Sequence, residues 1–160
     1  MNIEPPGIDD ADALADAWVA LAADQQSYDS LLVPEANRAS AREAICRSIV
    51  TGGALVARVD DDLAGFVQFG LESGLYETAA PKGVVENLFV VASYRDAGVG
   101  SALLEAAEDA LVADGAGVVV LDVMADNEGA RRFYRRHGYD PHRITMLKRV
   151  ENDLHDGEDR

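Results

Sequence analysis

Residues 88–104 read LFVVASYRDAGVGSALL, an apolar run followed by a short loop and the start of a helical pattern. The pattern predicts a strand at about residues 84–91 and a helix at about residues 99–114. In the loop between them, Gly98 and Gly100 let main-chain N–H groups approach a ligand closely. The unsatisfied N–H groups and the positive dipole end of the following helix face the same point, so the stretch predicts an anion-binding turn.

The glycine spacing excludes two common nucleotide sites. A dinucleotide-binding fingerprint needs a third glycine where this chain has Leu103, and the Gly-Lys-Ser/Thr of a P-loop does not occur. On spacing alone two interpretations stay open. The turn binds an anion of another kind, or its glycines only make a tight connection between strand and helix.

The rest of the chain alternates apolar patterns with turn residues. Further strands are expected at about 2–4, 54–59, 63–71, 118–123 and 144–150, and helices at about 9–23, 37–50 and 127–137. The strands at 54–59 and 63–71 form a hairpin across Asp60-Asp61-Asp62, whereas the later strands alternate with helices. The sum is one α/β domain over residues 1–150 with a mixed sheet, followed by an acidic tail, residues 151–160, that we expect to be disordered.

The composition is strongly acidic. The chain has 29 Asp and Glu residues against 14 Lys and Arg, which gives a formal charge of −15 at pH 7. Such a surface repels nucleic acid, and acidity spread along the chain indicates a protein adapted to concentrated salt rather than a dedicated cation site. The sequence has no run of 18 apolar residues and no secretory signal, so we expect a cytoplasmic protein without a membrane partner. The lone Cys46 permits no internal disulfide.

Two motifs follow one another in the second half of the chain. Arg95-Asp96-Ala97-Gly98-Val99-Gly100 fits the pattern Gln/Arg-x-x-Gly-x-Gly/Ala, and Asn127-x-x-Ala130-x-x-Phe133-Tyr134 is followed by Gly138-Tyr139. In order and spacing they resemble the two cofactor motifs of the GNAT superfamily of acyl-CoA N-acyltransferases. The resemblance covers about residues 84–139. It implies an α/β (α+β) fold with a mixed, mostly antiparallel sheet of about six or seven strands, splayed in the middle and flanked by about four helices.

The resemblance also implies acetyl-CoA (coenzyme A) as cosubstrate. The pantetheine arm would pair with main chain in the opening of the sheet, the pyrophosphate would lie on the N–H groups of the turn, and Asn127 would hydrogen-bond the cofactor. The implied cofactor-binding residues are Leu88, Phe89, Val90, Arg95, Asp96, Ala97, Gly98, Val99, Gly100, Ser101, Asn127 and Tyr134. Asp96 departs from the family pattern, and its carboxylate disfavours a nearby pyrophosphate unless salt screens it.

Amine acylation needs a base, a stabilised oxyanion and a proton for the departing thiolate. Tyr134 stands where similar enzymes place a tyrosine that protonates the sulfur, although Phe133 and Tyr134 also fit two core aromatics on one helical face. Glu86 and Asp122 lie on apolar strands, where a buried charge is costly. They are candidate bases, directly or through water, or structural carboxylates. The oxyanion is assigned to a main-chain N–H around Phe89 or Val90.

His137, His142 and His155 are too scattered to predict a metal site. Two functions remain open. One is an N-acetyltransferase that moves an acetyl group from acetyl-CoA to a primary amine by direct attack in a ternary complex. The other is a non-catalytic acyl-CoA-binding regulatory module. Small amines, polyamines, antibiotics and protein N-terminal amines are all compatible acceptors, as is a homodimeric state, and the acceptor pocket would involve the N-terminal helices and the loop at 73–83.

Overall fold

Five strands and four helices make up the regular structure of residues 1–150, the part of the chain that the computed structural model describes. In chain order they are β1 (Asn2–Glu4), α1 (Ala11–Gln26), α2 (Arg38–Thr51), β2 (Ala54–Val59), β3 (Asp62–Leu71), β4 (Lys82–Val90), α3 (Val99–Ala113), β5 (Val118–Leu121) and α4 (Glu128–Arg136). The chain divides into two compact units, Met1–Asn127 and the unit that begins at Glu128.

The sheet belongs to the first unit and has the strand order β1-β2-β3-β4-β5. Strands β1 to β4 pair antiparallel with one another, and β5 runs parallel to β4. The predicted α/β class with a mixed, mostly antiparallel sheet is confirmed. The strand count is five within residues 1–150 rather than six or seven.

Local sequence sets two of the turns, and the first of them is the predicted hairpin. Asp60 and Asp61 join β2 to β3 with φ of 51° and 68°, left-handed values that Asp tolerates better than most residues and that a two-residue hairpin turn requires. Gly52 ends α2 with φ of 81°, and Gly53 N–H donates to the Ser48 carbonyl at 2.8 Å. A left-handed glycine after the last helical residue is the common way to end a helix.

The two faces of the sheet carry different helices. Phe66 on β3 packs in a core with Phe89 of β4, Leu14 of α1 and Ile45 of α2. Its chain neighbour Gly65 faces the other way, because side-chain positions alternate along a strand. There a Cβ on Gly65 would meet the α3 side chains of Leu103 at 3.0 Å and Val99 at 3.3 Å. Helices α1 and α2 therefore cover one face and α3 covers the other.

The predicted last strand, at about 144–150, is wrong. Residues 139–150 form neither helix nor strand, and Ile144 and Met146 are 83% and 90% exposed. The apolar residues here do not keep a strict period of two, and a strand also needs a hydrogen-bonding neighbour. The predicted acidic tail, 151–160, lies outside the described residues. Within residues 1–150, no helix combines the length and apolar character needed to cross a membrane.

Candidate active site

The sheet opens between β4 and β5. Only four pairs join the two strands, from Lys82↔Val118 to Val85↔Leu121. Strand β4 continues to Val90 and stays paired with β3 along that length. Over residues 86–90, therefore, the edge of β4 that faces away from β3 pairs with no strand among residues 1–150. This is the opening that the sequence predicted beside this strand.

The main chain of β4 has a definite orientation at this open edge. Val91 N–H donates to the Ala64 carbonyl of β3 at 2.8 Å. Because main-chain groups of an antiparallel strand point alternately to either side, Phe89 also directs its N–H and C=O toward β3. Leu88 and Val90 direct theirs to the open edge. Leu88 thus has both main-chain groups available for pairing, whereas Val90 offers only its N–H, because its carbonyl accepts a hydrogen bond from Arg95 Nε at 3.1 Å.

The turn after β4 has the geometry of an anion site. Gly98 is the residue before α3 and has φ of 83°, while Asp96 has φ of 62°. The Gly98 carbonyl accepts the first helical hydrogen bond, from Ala102 N–H at 3.1 Å. The N–H groups of Val99 and Gly100, in the first turn of α3, have no acceptor within the helix. They add to the positive end of the helix dipole.

The space in front of this turn is open. A Cβ built on Gly98 has no heavy atom within 4 Å. Asp96 and Ala97 are exposed, and Gly100 and Ser101 are half-buried. No heavy atom therefore occupies the space that a side chain on Gly98 would fill.

The Arg95 side chain links the turn to β4 and α1. Its Nε donates to the Val90 carbonyl at 3.1 Å, and its Nη2 donates to Oδ2 of Asp24 at 3.0 Å. The guanidinium also lies over the Phe89 ring, 5.8 Å from the centroid. The arginine that begins the motif is thus occupied by protein contacts, which leaves the main chain of the turn to meet a ligand.

Glu86 and Asp122 occupy equivalent positions on neighbouring segments at the mouth of the opening. Each is the next residue after the last β4–β5 pair, Val85↔Leu121, so the two carboxylates follow adjacent strand positions. Both are exposed, and Asp122 lies just past the end of β5 rather than within a strand. The burial expected from their apolar neighbours is therefore absent. Glu86 is also the extra residue of an irregularity in the β3–β4 register, which interrupts the alternation of faces around it.

Asn127 and Tyr134 belong to the second cofactor motif. Asn127 closes the first unit, is half-buried, and donates its N–H to the Met124 carbonyl at 3.0 Å. Tyr134 lies on α4 in the second unit, where its ring meets Phe133 edge-on at 5.2 Å and Tyr139 edge-on at 5.9 Å. Burial raises the pKa of Tyr134 to about 12. The phenol is therefore protonated throughout the neutral range.

Sequence reasoning missed a polar chain behind the opening. Asn87 of β4 donates through Nδ2 to Oε1 of Gln68 on β3 at 2.9 Å, and Gln68 donates through Nε2 to Oγ of Ser48 on α2 at 3.1 Å. The signal was present in the two amide side chains within otherwise apolar strand segments. In the chain up to residue 150, no group of three or more His, Cys, Asp or Glu side chains is arranged to hold a metal ion.

A model of the Acetyltransferase (GNAT) family matches residues 17–139. This match spans most of the chain, and the protein belongs to the GNAT family of acetyltransferases, whose members use acetyl-CoA and act on amines. A search of curated proteins finds no significant match.

Solved structures of similar fold agree with the family. A mutant of the BH1408 protein from Bacillus halodurans superposes with a TM-score of 0.80 at 19% identity, over 94% of this chain and 100% of that one. A GCN5-related N-acetyltransferase from Ralstonia eutropha JMP134 gives 0.75 at 20% identity, over 93% and 97%. The aminoglycoside N-acetyltransferase AAC(6')-Iy, solved in complex with CoA, gives 0.71 at 15% identity, over 94% and 95%. At these identities the likeness concerns the fold.

Proposed function

We propose that this protein transfers an acetyl group from acetyl-CoA to a primary amine by direct attack of the amine in a ternary complex. The observation that carries the proposal is the free edge of β4 leading to the glycine turn at the start of α3. An extended strand edge suits the amide-rich pantetheine arm, and the first turn of a helix suits a diphosphate. Family membership supports acetyl transfer as the chemistry.

The residues of the first unit fit acetyl-CoA as cosubstrate. Leu88 would pair with the pantetheine arm through its outward main-chain groups, and Val90 presents only its N–H to the same edge. The N–H groups of residues 96–101 would hold the pyrophosphate, whereas the Arg95 N–H already donates to the Ala92 carbonyl at 3.3 Å. Asn127 would hydrogen-bond the cofactor from the segment after β5. When bound, acetyl-CoA supplies the activated acetyl thioester.

The remaining requirements concern protons and charge. Glu86 or Asp122, acting directly or through water, takes the proton that the amine must lose, and both are accessible at the mouth of the opening. The Val90 N–H is directed to the open edge and would stabilise the oxyanion that forms on the carbonyl. As the C–N bond forms and the C–S bond breaks, Tyr134 gives its phenolic proton to the thiolate sulfur. The raised pKa of Tyr134 keeps that proton in place at neutral pH.

A thiol-release assay tests the proposal. Acetyl-CoA is supplied with a panel of amines that includes a small primary amine, spermidine, an aminoglycoside and a peptide with a free N-terminus, in low and about 1 M salt. We expect amine-dependent release of free coenzyme A and a rise in melting temperature with coenzyme A. A thermal shift without release for any amine would favour a non-catalytic acyl-CoA-binding module, and no shift at either salt concentration would exclude both functions.

A further inference from the structure

The polar chain behind β4 is unusual for its surroundings. Among the residues described, Gln68 is the only polar residue that is almost fully buried, at 3% exposure. It lies two pairs along the strands from the packed aromatic pair of Phe66 and Phe89, on the same face of the sheet. Burying an amide is costly unless its hydrogen bonds are made, and here both ends of the amide have partners.

The polar chain of hydrogen bonds fixes the orientation of the Asn87 side chain. Its Nδ2 is committed to Gln68, which in turn is held by Ser48 on α2. Asn87 itself is half-buried, and its Oδ1 accepts no hydrogen bond from residues 1–150. In that part of the chain no buried side-chain oxygen or nitrogen lacks a partner, so this Oδ1 is not fully buried. The polar chain therefore ends in a hydrogen-bond acceptor that is not fully buried.

The position of Asn87 relates this acceptor to the open edge. Asn87 lies two residues beyond Val85, the last residue of β4 that pairs with β5. Its side chain is on the face covered by α1 and α2, because it contacts Gln68, which contacts α2. The next residue, Leu88, turns its main chain into the opening where the proposed function puts the thioester arm.

We infer that Oδ1 of Asn87 accepts a hydrogen bond from an N–H of the acceptor amine as it approaches from the α1–α2 face, with Gln68 and Ser48 as positioning residues. The inference rests on the proposed function and assigns the acceptor contact that it leaves open. A carbonyl oxygen that holds one N–H of a primary amine leaves the nitrogen lone pair directed away from it, toward the acyl carbon. An amide does not act as a base near neutral pH, so the amine proton is removed by Glu86, Asp122 or water.

The test uses an acceptor amine found with the wild-type protein. Asn87→Ala is expected to raise KM for the amine about tenfold and to leave KM for acetyl-CoA within about twofold, since one hydrogen bond to the acceptor is lost. Gln68→Met and Ser48→Ala are expected to shift amine KM in the same direction by a smaller factor. Asn87→Asp keeps an oxygen acceptor but loses the N–H that donates to Gln68, so it should shift amine KM by no more than the smaller factor expected of Gln68→Met and Ser48→Ala.

Asn2→Ala is the control, because Asn2 is exposed on β1 at the opposite edge of the sheet. If Asn87→Ala lowers the melting temperature but leaves amine KM unchanged, the polar chain is structural only and the inference is wrong. Should Gln68→Met fail to fold, Asn87→Ala and Ser48→Ala still decide the question. A wild-type protein that acetylates no amine overturns the proposed function together with this inference, whereas an active wild type with an indifferent Asn87→Ala overturns the inference alone.

Discussion

The guanidinium of Arg95 and the carboxylate of Asp24 lie 3.0 Å apart, so that the turn before α3 is joined to the last turns of α1 across 71 residues of sequence. The two side chains are 48% and 54% exposed. Ion pairs that exposed contribute about 0–1 kcal/mol. The same guanidinium also donates to the Val90 carbonyl and lies over the Phe89 ring.

This division of contacts predicts unequal effects of two substitutions on coenzyme A affinity. Asp24→Asn removes only the exposed pair, and we expect the Kd for coenzyme A to rise by no more than about fivefold. Arg95→Ala also removes the hydrogen bond to Val90 and the packing on Phe89, and we expect about a tenfold rise or more. Isothermal titration calorimetry at about 0.15 M salt measures both.

Arg47→Ala serves as the control, since Arg47 pairs with Glu43 on the exposed side of α2, 3.4 Å away. The coenzyme A affinity of the Arg47→Ala variant should equal that of the wild type. Equal losses for Asp24→Asn and Arg95→Ala would contradict the prediction, because they would make the exposed ion pair the dominant contact.

Gly98 allows a second prediction, based on backbone conformation rather than space. Its φ of 83° disfavours any side chain, although a Cβ there would touch nothing within 4 Å. Gly98→Ala should therefore cost about 1–2 kcal/mol of unfolding free energy and weaken coenzyme A binding as the turn distorts. Gly70→Ala is the matched control, because Gly70 has equal room and no left-handed φ. Chemical denaturation that finds the two variants equally stable would show that the conformation of Gly98 is not strained by a side chain.

The sequence was informative where structure is local. The turn at Gly98, the helix end at Gly52 and the hairpin at Asp60 and Asp61 all depend on residues that accept left-handed φ values, and such residues are recognisable one at a time. The place where β4 and β5 part depends instead on register between distant segments. That is why Glu86 and Asp122 were expected to be buried, although both follow the last paired position and are exposed.

Long-range pairing also explains two other differences between the sequence prediction and the structure. Apolar residues at 144–150 suggested a strand although they do not alternate strictly, and such a pattern does not supply a neighbouring strand. The chain from Asn87 through Gln68 to Ser48 joins three elements, and none of these residues belongs to a motif. Only the pairing of Gln68 with Asn87 across β3 and β4 brings their amides together.

Asp96 gives a prediction about salt. The residue is exposed in the turn with φ of 62°, and Asn accepts this conformation as readily as Asp, so Asp96→Asn removes a charge without straining the backbone. We expect Asp96→Asn to bind coenzyme A several-fold more tightly than the wild type at low salt, where its carboxylate repels the pyrophosphate. At about 1 M salt the Debye length is about 3 Å, and the difference should vanish. An advantage that persists unchanged in high salt would argue against electrostatic repulsion as its cause.

Tyr134 provides the sharpest test of the proposed chemistry. A positioned general acid contributes about 10²–10⁴-fold to a rate, so Tyr134→Phe should lower kcat at neutral pH about a hundredfold while the Kd for coenzyme A changes little. Tyr139→Phe is the control, since it keeps the ring that packs edge-on against Tyr134. A Tyr134→Phe variant with wild-type kcat would remove Tyr134 from the mechanism.

The pH dependence follows from the same phenol. Its pKa is raised from 10.0 to about 12 because burial disfavours the phenolate. The neutral form is therefore retained in the folded protein as pH passes 10, where a solvated tyrosine would already be half ionised. Wild-type kcat should show no loss attributable to this group below about pH 10, and the stability that burial of the neutral phenol contributes should be complete below pH 10 and lost only toward about pH 12. A descending limb of kcat that begins well below pH 10 in the wild type, and is absent from the residual activity of Tyr134→Phe, would mean that Tyr134 ionises more readily than its buried position allows.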